Sequence, residues 1–194
     1  MILDICVALS AYLLGSLSTA VIACKLSGLP DPRTQGSGNP GATNVLRFGG
    51  RKLAVVVLLG DLLKGLIPVI AAQLLGLPPA SVGIVGLLAF IGHLFPVFFG
   101  FRGGKGVATA LGVILGLSWP TGLALVAIWL ALALLFRYSS LAAICAALAA
   151  PLLTWLNTPA QTLVVLIMSL ALLWRHRGNL HKLLQGTEPR IGKK

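Results

Sequence analysis

Acidic residues are scarce in this chain of 194 residues, which has 4 Asp and Glu against 15 Lys and Arg and a formal net charge of +11. The acids are Asp4, Asp31, Asp61 and Glu188, and no two of them lie close together in sequence. A carboxylate cage for Mg²⁺ or a two-metal centre needs clustered acids. The sequence therefore argues against such a site. We expect no metal and no other cofactor, and an activity that survives EDTA.

Charged residues of both signs are also few. They make up 10% of the chain, whereas 57% is hydrophobic. A soluble domain is about half apolar and a quarter charged, and a disordered chain is poorer still in apolar residues. The composition therefore indicates an integral membrane protein. The basic excess then points to an anionic lipid surface or an anionic substrate, and not to a nucleic acid.

Cysteine is rare and unclustered. The three cysteines, Cys6, Cys24 and Cys145, stand singly in or beside apolar runs. This spacing fits neither a metal site nor a disulfide framework, so we expect buried free thiols.

Long apolar runs dominate what is present. A spanning helix needs about 20 mostly apolar residues, and the sequence predicts an all-α protein of one domain, 1–194, with about seven transmembrane helices. The run at 106–118 is short, and we expect it to borrow residues from the glycine-rich stretch before it or to stop short of the full bilayer. The predicted spans are 3–24, 53–75, 80–100, 106–118, 119–136, 140–156 and 160–175, followed by a tail at 176–194.

The basic residues predict the orientation of these spans, because cytoplasmic loops are rich in Lys and Arg. With seven spans, every Lys and Arg except Lys64 falls on one side of the membrane. The N-terminus is therefore predicted outside and the C-terminus in the cytoplasm. Lys64 and Asp61 share one face of the second span, either as a structural ion pair or as functional groups.

Polar residues concentrate in three segments on the basic side. The first, 35–47, combines glycines, which let a backbone approach a ligand closely, with the donors of Ser, Asn and Thr side chains. A helix beginning near Pro40 would add an N-terminus that favours an anion. The alternative is a flexible polar loop with Arg47 as a positive-inside residue.

The second segment, 92–106, has an Arg-Gly-Gly-Lys-Gly core from Arg102 to Gly106, with Lys105 in it, and resembles a phosphate cradle. It does not have the spacing of a Walker A loop, so it implies no nucleotide. The alternative for Lys105 is an anchor whose charge reaches the membrane surface. His93 in this segment is expected to be a packing residue rather than a ligand.

The third segment, 176–190, has leucines at helical spacing and predicts an amphipathic helix on the membrane surface. His176 and Asn179 are three residues apart and can share one face. Membrane anchoring is the simpler interpretation of this helix, and it is compatible with a second role in catalysis.

Taken in order, these segments resemble the signature segments of the bacterial membrane acyl-phosphate:glycerol-3-phosphate acyltransferase family. The resemblance extends over the whole chain, including its length and span count. One departure is His181-Lys182, where the family pattern leads us to expect a variable residue and then Arg. The matching stretches are Gly36–Arg47, Gly92–Phe98 with Gly103–Thr109, and His176–Leu180 with Gly186–Glu188, together with Asp61–Gly65 and Arg137–Leu141.

The resemblance implies a reaction, its partners and a location. An acyl group would pass from long-chain acyl-phosphate to the 1-hydroxyl of glycerol-3-phosphate, giving lysophosphatidic acid and phosphate, the first acylation of phospholipid synthesis. Acyl-CoA and acyl carrier protein would not be direct donors. The enzyme would lie in the bacterial cytoplasmic membrane, with its active site at the cytoplasmic face.

The resemblance also implies site residues. Lys105 and Arg47 are expected to hold the phosphate of glycerol-3-phosphate, helped by Ser37, His176 and Asn179, and these five are the predicted catalytic residues. His176 or the donor phosphate would accept the proton, and we favour the donor phosphate. The remaining residues of the predicted phosphate site are Gly38, Asn39, Gly41, Thr43, Asn44, Arg102, Gly103, Gly104 and Ser140.

One common acyltransferase arrangement is missing from the sequence. A His-x4-Asp pair, in which Asp orients a histidine base, would need Asp at 98, 181 or 186, and these positions hold Phe98, His181 and Gly186. Two other functional classes fit the sequence less well. A transporter predicts symmetric halves and polar groups across the bilayer, and a lipid-binding scaffold explains only the charge.

Overall fold

The structure is a computed structural model that describes residues 1–192, in which ten α-helices form and no strand occurs. The all-α prediction is thereby confirmed. Two short 3₁₀ turns, Val97–Phe99 and Pro159–Gln161, extend α5 and precede α9. The helices are α1 (Ile2–Gly15), α2 (Thr19–Leu26), α3 (Ala42–Phe48), α4 (Gly50–Leu74), α5 (Pro79–Leu94), α6 (Val107–Leu117), α7 (Trp119–Phe136), α8 (Ser139–Asn157), α9 (Thr162–Arg175) and α10 (Arg177–Leu184).

Four of these helices are long and apolar enough to cross a bilayer, namely α4, α5 with its 3₁₀ extension, α7 and α8. Two bent pairs qualify as broken spans: α1 with α2, at an angle of 45°, and Pro159–Arg175 with α10, at 54°. The eleven residues of α6 extend only about 17 Å at 1.5 Å per residue. They fall short of a bilayer, as one of the two expectations for 106–118 states. The seven-span count and the extent of the single domain stay predictions.

The first predicted span, 3–24, is broken between α1 and α2. The break frees the Leu17 carbonyl, and an unpaired carbonyl inside a membrane costs several kcal/mol. Lys64 of α4 satisfies it, with Nζ 2.8 Å from the oxygen and 2.8 Å from Asp61 Oδ1. Both side chains are buried. These contacts favour the structural interpretation of the Asp61–Lys64 pair.

Glycines bring α6 very close to α4. A Cβ added to Gly112 would lie 2.0 Å from the Leu62 carbonyl oxygen, and one added to Gly65 would lie 2.2 Å from the Thr109 carbonyl oxygen. Small residues permit such close packing in membranes. Gly112 and Gly65 therefore let α6 pack directly against α4.

Three chain segments gather at one end of the bundle, where α4, α6 and α8 begin and α5, α7 and α9 end. This end is called the basic end here, because the predicted polar segments all lie there. The loop at 27–41 leads into α3, the turn at 100–106 precedes α6, and α10 with the residues after it folds back toward α8. The site is built from these three segments.

Candidate active site

A cavity of about 690 Å³ opens at the basic end of the bundle. Ten of the fourteen residues predicted for the phosphate site line it, so the three polar segments do come together. They are Ser37, Asn39, Gly41, Thr43, Asn44, Arg47, Lys105, Ser140, His176 and Asn179.

Asn44 organises the first segment. Its Nδ2 donates to the carbonyl oxygens of Pro32 and Gln35, at 3.0 and 2.9 Å, and its Oδ1 accepts the Ser37 backbone N–H at 3.0 Å. Only 2% of Asn44 is exposed. Its polar atoms are therefore engaged in shaping the loop that carries Ser37, while its predicted contact with a phosphate stays a prediction.

Helix α3 presents the other two side chains of this segment. Thr43 and Arg47 lie one turn apart on it, and both line the cavity with exposed side chains. Thr43 Oγ1 lies 3.3 Å from Ser139 Oγ, which connects α3 to the start of α8. Arg47 thus lies at the cavity with an exposed side chain, where an anion could meet its charge.

Lys105 comes from the turn before α6. Its Nζ donates to Asn179 Oδ1 of α10, so the second and third segments meet here. Burial lowers the pKa of Lys105, and the negative charge of Glu188 acts in the opposite direction. A partly desolvated ammonium attracts a phosphate dianion more strongly than one in water does.

The turn that carries Lys105 is held in place through the backbone of Gly103 and Gly104. Arg175 donates from Nη2 to the Gly103 oxygen at 2.8 Å and from Nε to the Gly104 oxygen at 3.1 Å. The Gly104 N–H donates to the His93 carbonyl at 3.2 Å. The two glycines do not line the cavity, because Arg175 and α5 enclose their backbone. Their predicted contact with phosphate oxygens stays a prediction.

Two further predicted residues lie outside the cavity lining. Arg102 has an exposed side chain beside the turn, and Gly38 lies in the loop with φ +70°. Contacts of Arg102 and Gly38 with substrate also stay predictions.

His93 packs under the turn, as its predicted packing role suggests. A Cβ added to Gly104 would lie 2.3 Å from His93 Nε2, so only glycine fits over the ring. His93 Nδ1 is 3.6 Å from Asp61 Oδ1, beyond hydrogen-bonding distance. The ring therefore forms no hydrogen-bonded His–Asp pair.

His176 lies at the bend between α9 and α10, where it is buried. Its Nδ1 is 2.9 Å from the Leu172 carbonyl oxygen, which assigns the proton to Nδ1 and leaves Nε2 as an acceptor. Burial is the main cause that lowers the pKa of His176 to about 4; the neighbouring Lys105 contributes to the lowering, and the hydrogen bond to the Leu172 carbonyl opposes it. His176 is therefore neutral at pH 7.

Glu188 completes the polar end, and it was not among the predicted site residues. Its Oε1 accepts from Ser140 Oγ at 2.6 Å and from Asn179 Nδ2 at 2.7 Å. A hydrogen-bonded chain thus runs from Lys105 through Asn179 and Glu188 to Ser140. The one signal in the sequence was the position of Glu188 in the third signature segment.

The tail after α10 brings Glu188 into place. The Ile191 N–H donates to the Arg137 carbonyl at 2.6 Å, and Arg190 Nε donates to the Tyr138 hydroxyl at 3.0 Å. These contacts hold the tail against the turn between α7 and α8, so that Glu188 reaches Ser140 at the start of α8.

Below the polar end the cavity becomes apolar. Five helices, α4 and α6 to α9, form the walls of this apolar part, which is called the apolar shaft here. The apolar lining includes Val55, Leu58, Leu111, Ile114, Leu125, Val126, Trp129, Ala143, Ala146, Ala147, Ala150, Met168 and Leu172.

The profile of the glycerol-3-phosphate acyltransferase family matches residues 5–186. The chain belongs to this family. It is 57% identical over 196 residues to a glycerol-3-phosphate acyltransferase of Thioalkalivibrio sulfidiphilus, covering 100% of this chain and 97% of the relative. It is 55% identical over 186 residues to that of Methylococcus capsulatus, covering 95% and 94%.

Solved structures agree with this assignment. The chain resembles the glycerol 3-phosphate form of PlsY (YgiH), an integral membrane glycerol 3-phosphate acyltransferase, with a TM-score of 0.92 and 41% identity over 97% of this chain and 96% of that one. The lysophosphatidic acid form gives 0.90 and 40%, over 97% and 95%. The predicted family, the acyltransferase class and the multi-pass location in a bacterial inner membrane are thereby confirmed.

Proposed function

We propose that the chain transfers the acyl group of a long-chain acyl-phosphate to the 1-hydroxyl of glycerol-3-phosphate, releasing lysophosphatidic acid and phosphate. The observation that carries the proposal is a cavity with a basic polar end and an apolar shaft. Such a cavity offers separate surroundings for phosphate groups and for a hydrocarbon chain. The membrane supplies the donor, and the basic end would take up glycerol-3-phosphate from the aqueous side.

The proposed residue roles follow from the positions of the charges. Lys105 and Arg47 would hold the phosphate of glycerol-3-phosphate, helped by Ser37, His176 and Asn179. Acyl-phosphate is a mixed anhydride with a good leaving group, so the reaction needs no covalent nucleophile. The reaction needs the two anionic substrates to be held side by side in a reactive orientation. It also needs an environment that stabilises the developing oxyanion, and a proton acceptor.

Substrate assistance is the proton route that we favour. An effective general base has a pKa near the working pH, whereas burial holds the pKa of His176 at about 4. Its Nδ1 also bonds to a backbone carbonyl rather than to a carboxylate, so no acid orients it as in a catalytic triad. The second pKa of a phosphate group is about 6, which makes the donor phosphate the better acceptor.

The deciding experiment is phosphate release by the purified protein in lipid cubic phase or detergent. The substrates are palmitoyl phosphate and glycerol-3-phosphate, with palmitoyl-CoA as the control donor. We expect release that depends on both substrates and no turnover with the thioester. Turnover with palmitoyl-CoA instead would overturn the donor, and no turnover in a folded sample would return a transporter or a lipid-binding scaffold to consideration.

A further inference from the structure

We propose that the free carboxylate oxygen of Glu188 accepts a hydrogen bond from the 2-hydroxyl of glycerol-3-phosphate and thereby selects the acceptor. This inference rests on the proposed function for the identity of that acceptor. It assigns Glu188 the role of a specificity residue at the polar end of the cavity.

The two oxygens of this carboxylate differ in their contacts. Oε1 accepts from both Ser140 and Asn179, whereas Oε2 is buried and has no hydrogen-bond partner among residues 1–192. The side chain is 9% exposed and lines the cavity. A buried carboxylate oxygen without a donor is costly, so a ligand that supplies a donor gains affinity there.

The chemistry of the substrates limits what that donor is. A carboxylate repels phosphate oxygens, and the dianionic phosphates of both substrates offer acceptors rather than donors. The acyl chain offers neither. The two hydroxyls of glycerol-3-phosphate are the remaining donors, and Glu188 lies one side chain away from Lys105, which would hold the phosphate of the same molecule.

The two hydroxyls of glycerol-3-phosphate have different fates in the reaction. The 1-hydroxyl must lose its proton, and a carboxylate is a weaker base than the phosphate that the donor would release. The 2-hydroxyl keeps its proton throughout the reaction, so a lasting hydrogen bond to Oε2 suits it.

The first test needs only the natural protein. Acyl transfer is compared for glycerol-3-phosphate and 3-hydroxypropyl phosphate, which keeps the phosphate and one primary hydroxyl but lacks the 2-hydroxyl. Loss of a hydrogen bond to a charged group lowers kcat/KM by about 10- to 150-fold. We therefore expect kcat/KM to be lower for the analogue than for glycerol-3-phosphate by that factor. Equal values for the two acceptors would overturn the proposal.

The second test changes the carboxylate. In Glu188→Gln the charge is gone, and we expect the ratio of the two kcat/KM values to fall to about 2- to 12-fold, as for a neutral hydrogen bond. Asp4→Asn is the matched control, because Asp4 contacts Ser81 and the N-terminus, away from the cavity. That variant should keep the ratio of the natural protein.

The remaining outcomes separate this proposal from the others. If Glu188→Gln folds and keeps the kcat/KM ratio of the natural protein, a group other than Glu188 discriminates between the two acceptors. A loss of kcat with an unchanged ratio would point to the 1-hydroxyl, and either result overturns the proposal. If Glu188→Gln does not fold, Glu188→Asp replaces it, with the same expected fall in ratio. The ratio is measured with whichever donor supports turnover, so absence of all turnover contradicts the proposed function and not this contact alone.

Discussion

Lys105 is the residue on which the polar segments converge. Its ammonium is partly buried, contacts Asn179 of α10, and lies on a turn that Arg175 and His93 enclose. An anchoring lysine would instead extend toward the membrane surface. The structure therefore favours the functional interpretation of Lys105 over the anchoring one.

Removing the Lys105 ammonium should weaken phosphate binding directly. A charge-assisted hydrogen bond contributes about 1.5–3 kcal/mol, so we expect Lys105→Ala to lower kcat/KM for glycerol-3-phosphate by about 10- to 150-fold. The control is Lys52→Ala, because Lys52 is exposed and outside the cavity lining. Steady-state kinetics with kcat and KM both unchanged in Lys105→Ala would remove this residue from the site.

The buried imidazole of His176 should titrate at an unusually low pH. With its pKa lowered to about 4, the folded protein keeps His176 neutral at pH 7 and protonates it only as the pH falls through about 4. An ordinary histidine titrates near 6.5. NMR of ¹⁵N-labelled histidine in detergent measures this midpoint, and the missing signals of His176→Gln identify the residue. A midpoint between about 6 and 7 would contradict the prediction and make His176 the better base.

At the scale of elements, α9 and α5 together hold the turn before α6. Arg175 at the end of α9 donates to two consecutive carbonyls, and His93 near the end of α5 lies beneath Gly104. Arg175 was not among the predicted site residues. It acts through the backbone of the Lys105 turn, and is therefore a positioning residue.

Loss of this guanidinium should displace Lys105 without removing it. We expect Arg175→Ala to raise the KM for glycerol-3-phosphate about tenfold or more, since small displacements of binding groups are costly, and to change the KM for the acyl donor by less than about threefold. Arg175→Lys should restore little of the affinity for glycerol-3-phosphate, because a single ammonium cannot donate to both carbonyls as the planar guanidinium does.

Arg177→Ala is the matched control for Arg175→Ala, because Arg177 is exposed and, within residues 1–192, its guanidinium contacts only the Trp174 carbonyl and ring. It should behave as the natural protein does. An equal rise in KM for both substrates in Arg175→Ala would indicate general loss of structure rather than positioning.

The close packing of α4 against α6 leads to a prediction about thermal stability. A Cβ at Gly112 would meet the Leu62 carbonyl oxygen at 2.0 Å, and overpacking costs about 1–3 kcal/mol. Gly112→Ala should therefore lower the thermal midpoint in detergent. Gly178→Ala is the control, since no residue of another part of the described chain lies within 4 Å of its added Cβ. A midpoint unchanged in Gly112→Ala would show that the helices separate easily.

At the scale of the whole molecule, the distribution of charge predicts the orientation in the membrane. In a background where Cys6, Cys24 and Cys145 are replaced by Ala, Leu75→Cys and Asn157→Cys should react with a membrane-impermeant maleimide from outside intact cells. Lys25→Cys and Gln185→Cys should react only after permeabilisation. Labelling of Gln185→Cys in intact cells would contradict the predicted cytoplasmic C-terminus.

The fold also decides how the site is closed. The polar end depends on a tail that returns from α10 to the turn between α7 and α8. There the tail forms hydrogen bonds with Arg137 and Tyr138. The apolar shaft depends on five helices that contribute separate residues. The candidate site therefore depends on the complete bundle.

The amino-acid sequence by itself determined the membrane class, the all-helical fold, the three polar segments and the family. These features are local, because hydropathy, charge and motif spacing are read along a single stretch of chain. Only the tertiary structure decided that Glu188 joins the site and that Asn44 is engaged in its own loop. It also decided that Gly103 and Gly104 lie behind Arg175, and which residues line the shaft. Those features depend on contacts between residues such as Lys105 and Asn179, 74 positions apart, or Ser140 and Glu188, 48 apart, and helix packing alone brings such residues together.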